Sequence, residues 1–305
     1  MKRYLLVAAA AAIIAAGCSG GADVAATVNG TEIAADDVEA LVYELGEDFG
    51  DAEFIQLLDI LIQWNAIEEA AKSDFGIDPT DEEIAAEVQR IYAEQGAGID
   101  FEAFLEAQNI SAPGLDQYAA QLLIGAEILA ELESGLGEPT EEDAVQLLAD
   151  DPNSWTEVCA AHILVATTEE ATAVLDRLAG GEEFAAVAIE ASLDTGSGAR
   201  GGELGCNTPA TYVPEFAAAT MTADLGEVVG PVETTFGFHL IRVDSRTEAT
   251  TEELIGALAN LQISDAVDQW YAASVGGAEV DVAEEWGTWQ TDPVPGIVPP
   301  PTLVP

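Results

Sequence analysis

The amino-acid sequence predicts an α+β protein in which a small sheet-containing domain is inserted between two helical segments. Three changes of pattern along the chain indicate this. Helical periodicity dominates residues 24–150, strand-like apolar runs and glycine-rich loops occupy residues 155–246, and helical spacing returns from Thr250 to Ala273. With 305 residues, of which 49% are hydrophobic, the chain is long enough for two domains that each have a core.

The first helical segment begins with a hairpin signal. Val24 to Ile33 has the pattern of two short strands around Asn29-Gly30, a dipeptide that favours a two-residue turn. The stretch from Ala52 to Phe75 is apolar around most of a helix, which predicts that this helix is largely buried. Capping boxes at Thr80 and Thr140 predict the starts of two later helices.

The domain at residues 155–246 has the pattern strand, helices, strand. Val158 to Val165 is an apolar run of strand length, and Phe238 to Val243 is a final strand with alternating large residues. Three short helices are predicted between these strands, at Glu169 to Ala179, Glu182 to Ala191 and Val213 to Ala219. We expect residues 250–285 to form a C-terminal helical segment.

The C-terminal residues 291–305 contain six of the thirteen prolines of the chain. Such a segment has no means of forming a helix, and we expect a disordered tail there.

The N-terminus has the pattern of a signal peptide over residues 1–17. Two basic residues precede thirteen uncharged ones, a stretch too short to span a bilayer. The sequence Ala-Ala-Gly-Cys ending at Cys18 resembles a bacterial lipobox, in which the signal is cut before a cysteine that becomes lipidated. Residues 18–23 would then be the lipidated cysteine and its tether. We expect an extracytoplasmic lipoprotein of the bacterial cell membrane; an ordinary signal peptide is the alternative.

The chain is strongly acidic, with a net charge of −49 at pH 7 from 57 acidic and 8 basic residues. Loss of residues 1–17 would remove Lys2 and Arg3 and no acidic residue, and would leave Lys72 as the only lysine. Such a surface repels nucleic acid and anionic membrane surfaces, which excludes both as partners. Salt relieves its self-repulsion, so the composition suits a salt-rich environment.

The only two histidines of the chain stand in distinctive phrases. His162 opens His-Ile-Leu-Val, His239 lies in Phe-Gly-Phe-His-Leu-Ile, and Gly-Gly-Glu-Leu-Gly lies between them at residues 201–205. Three phrases in this order resemble the parvulin-type peptidyl-prolyl cis/trans isomerases. The resemblance implies a parvulin domain at residues 155–246, with a small antiparallel sheet and flanking short helices.

The helical segments resemble the chaperone region of SurA-like and PrsA-like secreted foldases, through Val-Asn-Gly and the helical array that follows it. In those proteins the segment after the isomerase domain returns to complete the N-terminal domain. The resemblance therefore implies that residues 250–285 complete the domain at residues 24–150.

The parvulin resemblance also implies roles for three polar residues. His162 and His239 would hydrogen-bond as a pair and orient Asp194 near the amide of the substrate. Thr195 is the alternative occupant of the Asp194 place, because the loop that follows is one residue longer than in the shortest parvulins. A buried histidine pair with a purely structural role is the competing interpretation.

An X-Pro amide rotates slowly because rotation breaks its resonance, with a barrier of about 20 kcal/mol. Parvulins hold the proline ring in an apolar cup and favour the twisted amide without covalent chemistry. The resemblance assigns the substrate-binding role to Leu204, Tyr212, Phe216, Met221 and Phe236. Acidic residues follow the first histidine where phosphate-selective members carry basic ones, so a phosphorylated substrate is not expected.

Beyond Cys18 the chain has two cysteines, Cys159 and Cys206. Outside the cytosol such a pair is a candidate disulfide, and the parvulin resemblance places both near one end of the sheet. Two buried free thiols are the alternative, because the sequence fixes no distance between them. His162 is the only histidine near Cys159, so we expect no metal site, and we expect no cofactor.

These features predict an extracytoplasmic peptidyl-prolyl isomerase and folding chaperone. Its partners would be unfolded or nascent secreted polypeptides that contain X-Pro bonds, and a lipid anchor would hold it to the membrane. The main alternative is a holdase-type chaperone lipoprotein whose parvulin domain is an inactive scaffold. A third interpretation, a lipid-anchored structural protein, predicts no binding of unfolded chains.

Overall fold

A computed structural model of the protein describes residues 23–42, 49–96 and 98–300. The chain divides into two compact units. The helical unit comprises Met1–Leu136 and Gln262–Pro305, and the central unit comprises Gly137–Leu261. The predicted signal peptide and lipidation site lie outside the described residues. Within the described ranges, no helix is both long and apolar enough to cross a bilayer.

In chain order, the helices of the described residues are α1 (Ala35–Glu39), α2 (Asp51–Phe75), α3 (Asp81–Gln95), α4 (Phe101–Gln108), α5 (Ala112–Gly135), α6 (Glu141–Asp150), α7 (Thr168–Ala179), α8 (Phe184–Ala191), α9 (Thr195–Gly198), α10 (Pro214–Thr222) and α11 (Thr251–Gly276). The strands are β1 (Val24–Val28), β2 (Thr31–Ala34), β3 (Thr156–Val165), β4 (Glu203–Asn207), β5 (Val228–Thr234), β6 (Gly237–Glu248), β7 (Val280–Val282), β8 (Thr288–Gln290) and β9 (Gly296–Val298).

The core of the helical unit forms where α2 packs on a sheet with the strand order β2-β1-β7. The predicted hairpin is confirmed: Asn29 and Gly30 both have positive φ, 50° and 87°, as a type I′ turn requires. The predicted burial of α2 is also confirmed, and its fully buried large side chains are Leu58, Leu61 and Ile62. A second apolar cluster joins α3, α4 and α5.

Both predicted capping boxes are present. The Thr80 hydroxyl accepts a hydrogen bond from the Glu83 N–H at the start of α3. The Thr140 hydroxyl accepts one from the Asp143 N–H at the start of α6. These caps satisfy backbone donors that the first turn of a helix otherwise leaves unpaired.

The chain rejoins the helical unit near its C-terminus. Val275, at the end of α11, is buried in the same apolar cluster as α2. β7 pairs with β1 in antiparallel register, with Val282 opposite Ala26. A helical segment over residues 250–285 is therefore too long, because α11 ends at Gly276 and a strand follows. A three-residue strand is too short to give a periodic signal.

The prediction of a disordered tail at residues 291–305 is wrong for Gly296–Val298, which form β9 and pair with β8. Trp289 lies opposite Ile297 in this hairpin, and both pack against the core of the helical unit. The Ile297 N–H donates a hydrogen bond of 2.8 Å to Asp59 Oδ1. A prediction from proline content alone missed this local pairing.

Asp59 connects β9 with two helices. Its Oδ2 accepts a hydrogen bond of 2.8 Å from Gln63 Nε2, and Gln63 Oε1 accepts one from the Tyr271 hydroxyl on α11. Burial raises the pKa of Asp59, although the hydrogen bonds from Ile297 and Gln63 act in the opposite direction. Any stability that Asp59 contributes through this shift is therefore present at low pH and is lost as the pH rises through its folded-state pKa.

We expect Asp59→Ala to lower the free energy of unfolding by about 1–2 kcal/mol, because the Ile297 N–H loses its acceptor. Asp59→Asn keeps an amide oxygen for that N–H and removes the half-buried charge. The Asn variant should therefore lose less stability than the Ala variant at pH 7, although its amide nitrogen no longer accepts the hydrogen bond from Gln63 Nε2. Urea unfolding of both variants at pH 7 tests the contrast, and an equal loss of stability in the two would contradict it.

The central unit is built on an antiparallel sheet with the strand order β4-β3-β6-β5. Helices α7 and α8 cover one face, where they pack on Ala161, Ile163 and Val165 of β3. On the other face, Phe216 of α10 packs in a cluster with Val158 of β3. Each face of β3 therefore has its own small core.

Strands β4 and β5 were not predicted. Gly205 lies within β4 and Gly230-Pro231 within β5, and these residues interrupt the strand pattern. Both strands are at the edges of the sheet, where such residues are tolerated. In the β3–β4 pair, Cys159 lies opposite Cys206, and the two form a disulfide. This pairing favours the predicted disulfide over two free thiols.

Candidate active site

The two histidines lie beside each other on β3 and β6. Their Nδ1 atoms are 3.0 Å apart, and their rings are stacked with centroids 5.2 Å apart. Both are buried, with 6% of His162 and 4% of His239 exposed. At this separation one Nδ1 donates a hydrogen bond and the other accepts it.

Asp194 lies against the free end of the His162 ring. Its Oδ2 is 2.9 Å from His162 Nε2 and also accepts a hydrogen bond from the Ser197 hydroxyl. Asp194 caps α9, so its Oδ1 accepts hydrogen bonds from the Gly196 and Ser197 N–H groups at 3.0 and 3.3 Å. These donors, Ser197 first and His162 second, hold the pKa of Asp194 well below its usual range. The side chain is therefore a carboxylate at neutral pH.

Thr234 completes a row of hydrogen-bonded side chains that continues through His239 and His162 to Asp194 and Ser197. Its Oγ1 lies 2.8 Å from His239 Nε2. Because a carboxylate only accepts hydrogen bonds, the assigned tautomer of His162 carries its proton on Nε2. His162 Nδ1 then accepts a hydrogen bond from His239 Nδ1–H. His239 Nε2 is left as an acceptor for the Thr234 hydroxyl. In these tautomers the hydrogen bonds run in one direction, from Thr234 through the two histidines to Asp194.

The members of this row differ in their access to solvent. The Asp194 side chain is 33% exposed, whereas the His162 side chain is 8% exposed. The carboxylate is therefore the member of the pair that solvent reaches, and the His162 imidazole lies behind it.

Burial, and secondly the neighbouring His162, lower the pKa of His239 to about 4, while the charge of Asp194 acts in the opposite direction. The His239 imidazole is therefore neutral at pH 7. An unfolded histidine has a pKa of about 6.5. Because the folded-state value is lower, this group contributes stability that is complete above about pH 6.5 and is lost as the pH falls towards the folded-state value.

We expect this difference to cost about 2 kcal/mol of the free energy of unfolding between pH 7 and pH 5. His239→Asn removes the titrating group, so the variant should lose correspondingly less stability over that interval. Urea unfolding of both proteins at the two pH values, in high salt, measures the difference. Parallel losses in wild type and variant would refute the assignment of a neutral, buried His239.

An aromatic cup lies next to the histidines. Phe216 on α10 meets both imidazoles edge-on, at centroid distances of 5.7 Å from His162 and 5.3 Å from His239. Tyr212 packs on Phe216 at 4.8 Å, and Leu204 belongs to the same apolar cluster. These predicted substrate-binding residues therefore lie together beside the polar row.

The Tyr212 hydroxyl has a partner in this cup. It accepts a hydrogen bond from Asn207 Nδ2 at 3.4 Å. Burial raises the pKa of the phenol, so Tyr212 is neutral at working pH.

Three other residues singled out from the sequence lie differently. Met221 is half-buried on α10, outside the apolar cluster around Phe216. Phe236 is 66% exposed in the turn between β5 and β6, where its N–H donates to Thr234 Oγ1. Thr195, the alternative to Asp194, is exposed. The contact with His162 is made by Asp194.

The Gly-Gly phrase brings its loop against β3. Gly202 has a φ of 86°, and its carbonyl accepts a hydrogen bond of 2.9 Å from the His162 N–H. A Cβ at Gly202 would lie 2.4 Å from the His162 carbonyl oxygen. Glycine therefore permits the close approach that fixes the backbone of His162.

Sequence reasoning missed Ser197 and Thr234, the two hydroxyl residues of the row. Ser197 is 3% exposed, and its Oγ also lies 3.1 Å from His162 Nε2. Its position three residues after an aspartate is the spacing of a helix cap, which was the available signal. Thr234 has no comparable signal, because its contact with His239 depends on the β5–β6 pairing.

Among the described residues, one group of His, Cys and acidic side chains is close enough to share an ion, and it consists of Glu157, Cys159 and Cys206. Both sulfurs are in the disulfide, so the group offers no thiolate ligand.

Comparisons with known proteins agree with this geometry. The rotamase family model, described as the PPIC-type PPIase domain, matches residues 162–245, which include both histidines and Asp194. Foldase protein PrsA of Halalkalibacterium halodurans is 30% identical over 263 residues, which cover 82% of this chain and 75% of that relative. The chain belongs to the PrsA foldase family.

Other similar proteins cover different shares of the chain. Foldase protein PrsA of Caldanaerobacter subterraneus is 31% identical over 221 residues, covering 72% of this chain and 66% of that relative. Chaperone SurA of Chromohalobacter salexigens is 36% identical over 135 residues, covering 39% and 31%. A crystal structure of the peptidylprolyl isomerase PrsA from Bacillus cereus has a TM-score of 0.44 and 23% identity, covering 88% of this chain and 96% of that one.

As a PrsA-family protein with a PPIC-type domain, the chain is a peptidyl-prolyl cis/trans isomerase and a folding chaperone that acts on unfolded polypeptides. The parvulin resemblance and the α+β fold class predicted from the sequence are confirmed. The roles of the individual site residues remain predictions.

Proposed function

We propose that X-Pro bonds rotate at the site formed by His162, Asp194 and His239, with the proline ring against Phe216 and Tyr212. One observation carries the proposal. A row of hydrogen-bonded side chains ends at a partly exposed carboxylate, directly beside an aromatic cup. The apolar proline ring would fit the aromatic cup, and the polar amide would lie next to the carboxylate.

The Asp194 carboxylate acts electrostatically. The resonance of a planar amide places partial negative charge on the carbonyl oxygen, and a twisted amide carries less. A fixed negative charge near that oxygen destabilises the planar substrate more than the twisted transition state, and the barrier falls. The histidines hold the carboxylate in place, and no bond to the substrate forms.

The substrates of this reaction are unfolded or newly secreted polypeptides that contain X-Pro bonds. We place the protein outside the cytoplasm as a lipoprotein anchored through Cys18. The basic start and apolar stretch of residues 1–17 support export, and the lipobox-like Ala-Ala-Gly-Cys supports the anchor. The disulfide between Cys159 and Cys206 fits an oxidising compartment.

The decisive experiment is isomerisation of a short X-Pro peptide by the folded protein, followed by NMR exchange spectroscopy in high salt. We expect acceleration by the wild type and its loss in Asp194→Ala and His239→Ala. Unchanged acceleration by folded samples of both variants would refute the site. If folded wild type bound unfolded chains and gave no acceleration, the holdase alternative would replace the proposal.

A further inference from the structure

A cleft of about 310 Å³ opens on the face of the sheet covered by α7 and α8, opposite the face that carries Phe216, and Leu193 connects it to the proposed site. Its lining includes the buried Val165 and Val174, together with Ala191 and Leu193. Leu193 is 57% exposed and directly precedes Asp194. The cleft volume is at the lower end of the range for ligand pockets and is sufficient for one large side chain.

The polar groups at the rim of this cleft already have partners. Glu170 Oε2 accepts hydrogen bonds of 3.0 and 3.1 Å from two backbone N–H groups of the turn before α7. Arg177 forms ion pairs of 2.7 Å with Glu182 and with Glu190. A charged ligand would compete with these contacts, whereas an apolar group would displace water from apolar walls. The cleft therefore favours an apolar occupant.

Backbone hydrogen bonds fix the cleft next to the site. The Leu193 N–H donates a hydrogen bond of 2.7 Å to the Leu164 carbonyl, and Leu164 lies opposite His239 in the β3–β6 pair. An extended chain advances about 3.3 Å per residue. A polypeptide with its proline beside Asp194 therefore passes close to Leu193, where a side chain near the proline can enter the cleft.

We propose that this cleft is a second subsite, which binds a large apolar side chain of the substrate close to its proline. The proposal rests on the isomerase site proposed above and adds a sequence preference to it. A single exposed leucine needs no explanation on a protein surface. Leu193, however, lines an apolar cleft and adjoins the residue that faces the substrate. Unfolded chains expose the apolar side chains that such a cleft accepts.

The test uses the full chain and pairs of X-Pro peptides. One member of each pair has leucine at a single position two to five residues before or after the proline, the other has serine there, and the pairs together cover all of these positions. Leu193→Ser should lower kcat/KM for a leucine peptide about five- to tenfold and leave the serine peptides unchanged. Ile189→Ser is the matched control, because Ile189 is 64% exposed on α8 and does not line the cleft.

Two outcomes would overturn the subsite. An equal loss on leucine and serine peptides would mean that Leu193 acts only through Asp194. Unchanged kinetics on every peptide would mean that the cleft binds nothing. An NMR titration with the leucine peptides, followed through the methyl signals of Val174 and Ala191, measures binding to the cleft independently of isomerisation. Failure of the subsite is therefore distinguishable from failure of the isomerase proposal.

Discussion

Asp194→Asn is expected to lower kcat/KM for X-Pro isomerisation by about 10²-fold. The substitution keeps the size of the side chain but removes the charge that, in the proposed mechanism, destabilises the planar amide. Its carboxamide also has only one oxygen, which the N–H groups of Gly196 and Ser197 and the Nε2–H of His162 would compete for. NMR exchange spectroscopy with a short X-Pro peptide measures the loss.

A carboxylate outside the site provides the control. Asp244 pairs with Arg242 at 2.6 Å on β6, so Asp244→Asn removes a charge of the central unit without touching the row. This variant should retain activity within about twofold, because exposed ion pairs contribute little. Full activity in a folded Asp194→Asn variant would refute the electrostatic role and leave the histidine pair with a purely structural one.

Reduction of the disulfide is expected to lower the free energy of unfolding of the central unit by about 2–4 kcal/mol. The bond joins residues 47 positions apart and ties the edge strand β4 to β3. A large loop of the unfolded chain is therefore restricted. Because β4 also carries Leu204 of the aromatic cup, we expect isomerase activity to fall on reduction. Urea unfolding with and without reductant measures the loss of stability.

The matched variant is Cys159→Ala with Cys206→Ala. It should unfold at the same urea concentration as the reduced wild type and should not respond to reductant. Mass spectrometry after alkylation establishes that reduction was complete. A reduced wild type with unchanged stability would contradict the expectation, and a response of the double variant would point to an effect of the reductant itself.

The sequence predicted the structure best where the role of a residue depends only on its neighbours in the chain. Asn29-Gly30 predicted its turn, and the Thr80 and Thr140 caps predicted helix starts, because each depends on neighbours within three residues. The histidine phrases predicted the active-site strands through a family resemblance. Periodicity alone would have identified those strands without their chemistry.

Features that depend on distant parts of the chain were not predicted. Thr234 becomes part of the site only because β5 pairs with β6. β9 forms between prolines, and its Ile297 N–H donates a hydrogen bond to Asp59, more than two hundred residues earlier. A strand of three residues is too short to show an alternating sequence pattern. A contact over that separation produces no signal in the neighbouring residues.

The one-directional row of hydrogen bonds has a thermodynamic consequence. No proton is transferred in the proposed reaction, so the row is the same before and after the amide rotates. The enzyme consumes nothing in a turnover and lowers the barrier equally in both directions. It therefore sets only the rate at which cis and trans forms exchange. The folding of the client protein determines which isomer is retained.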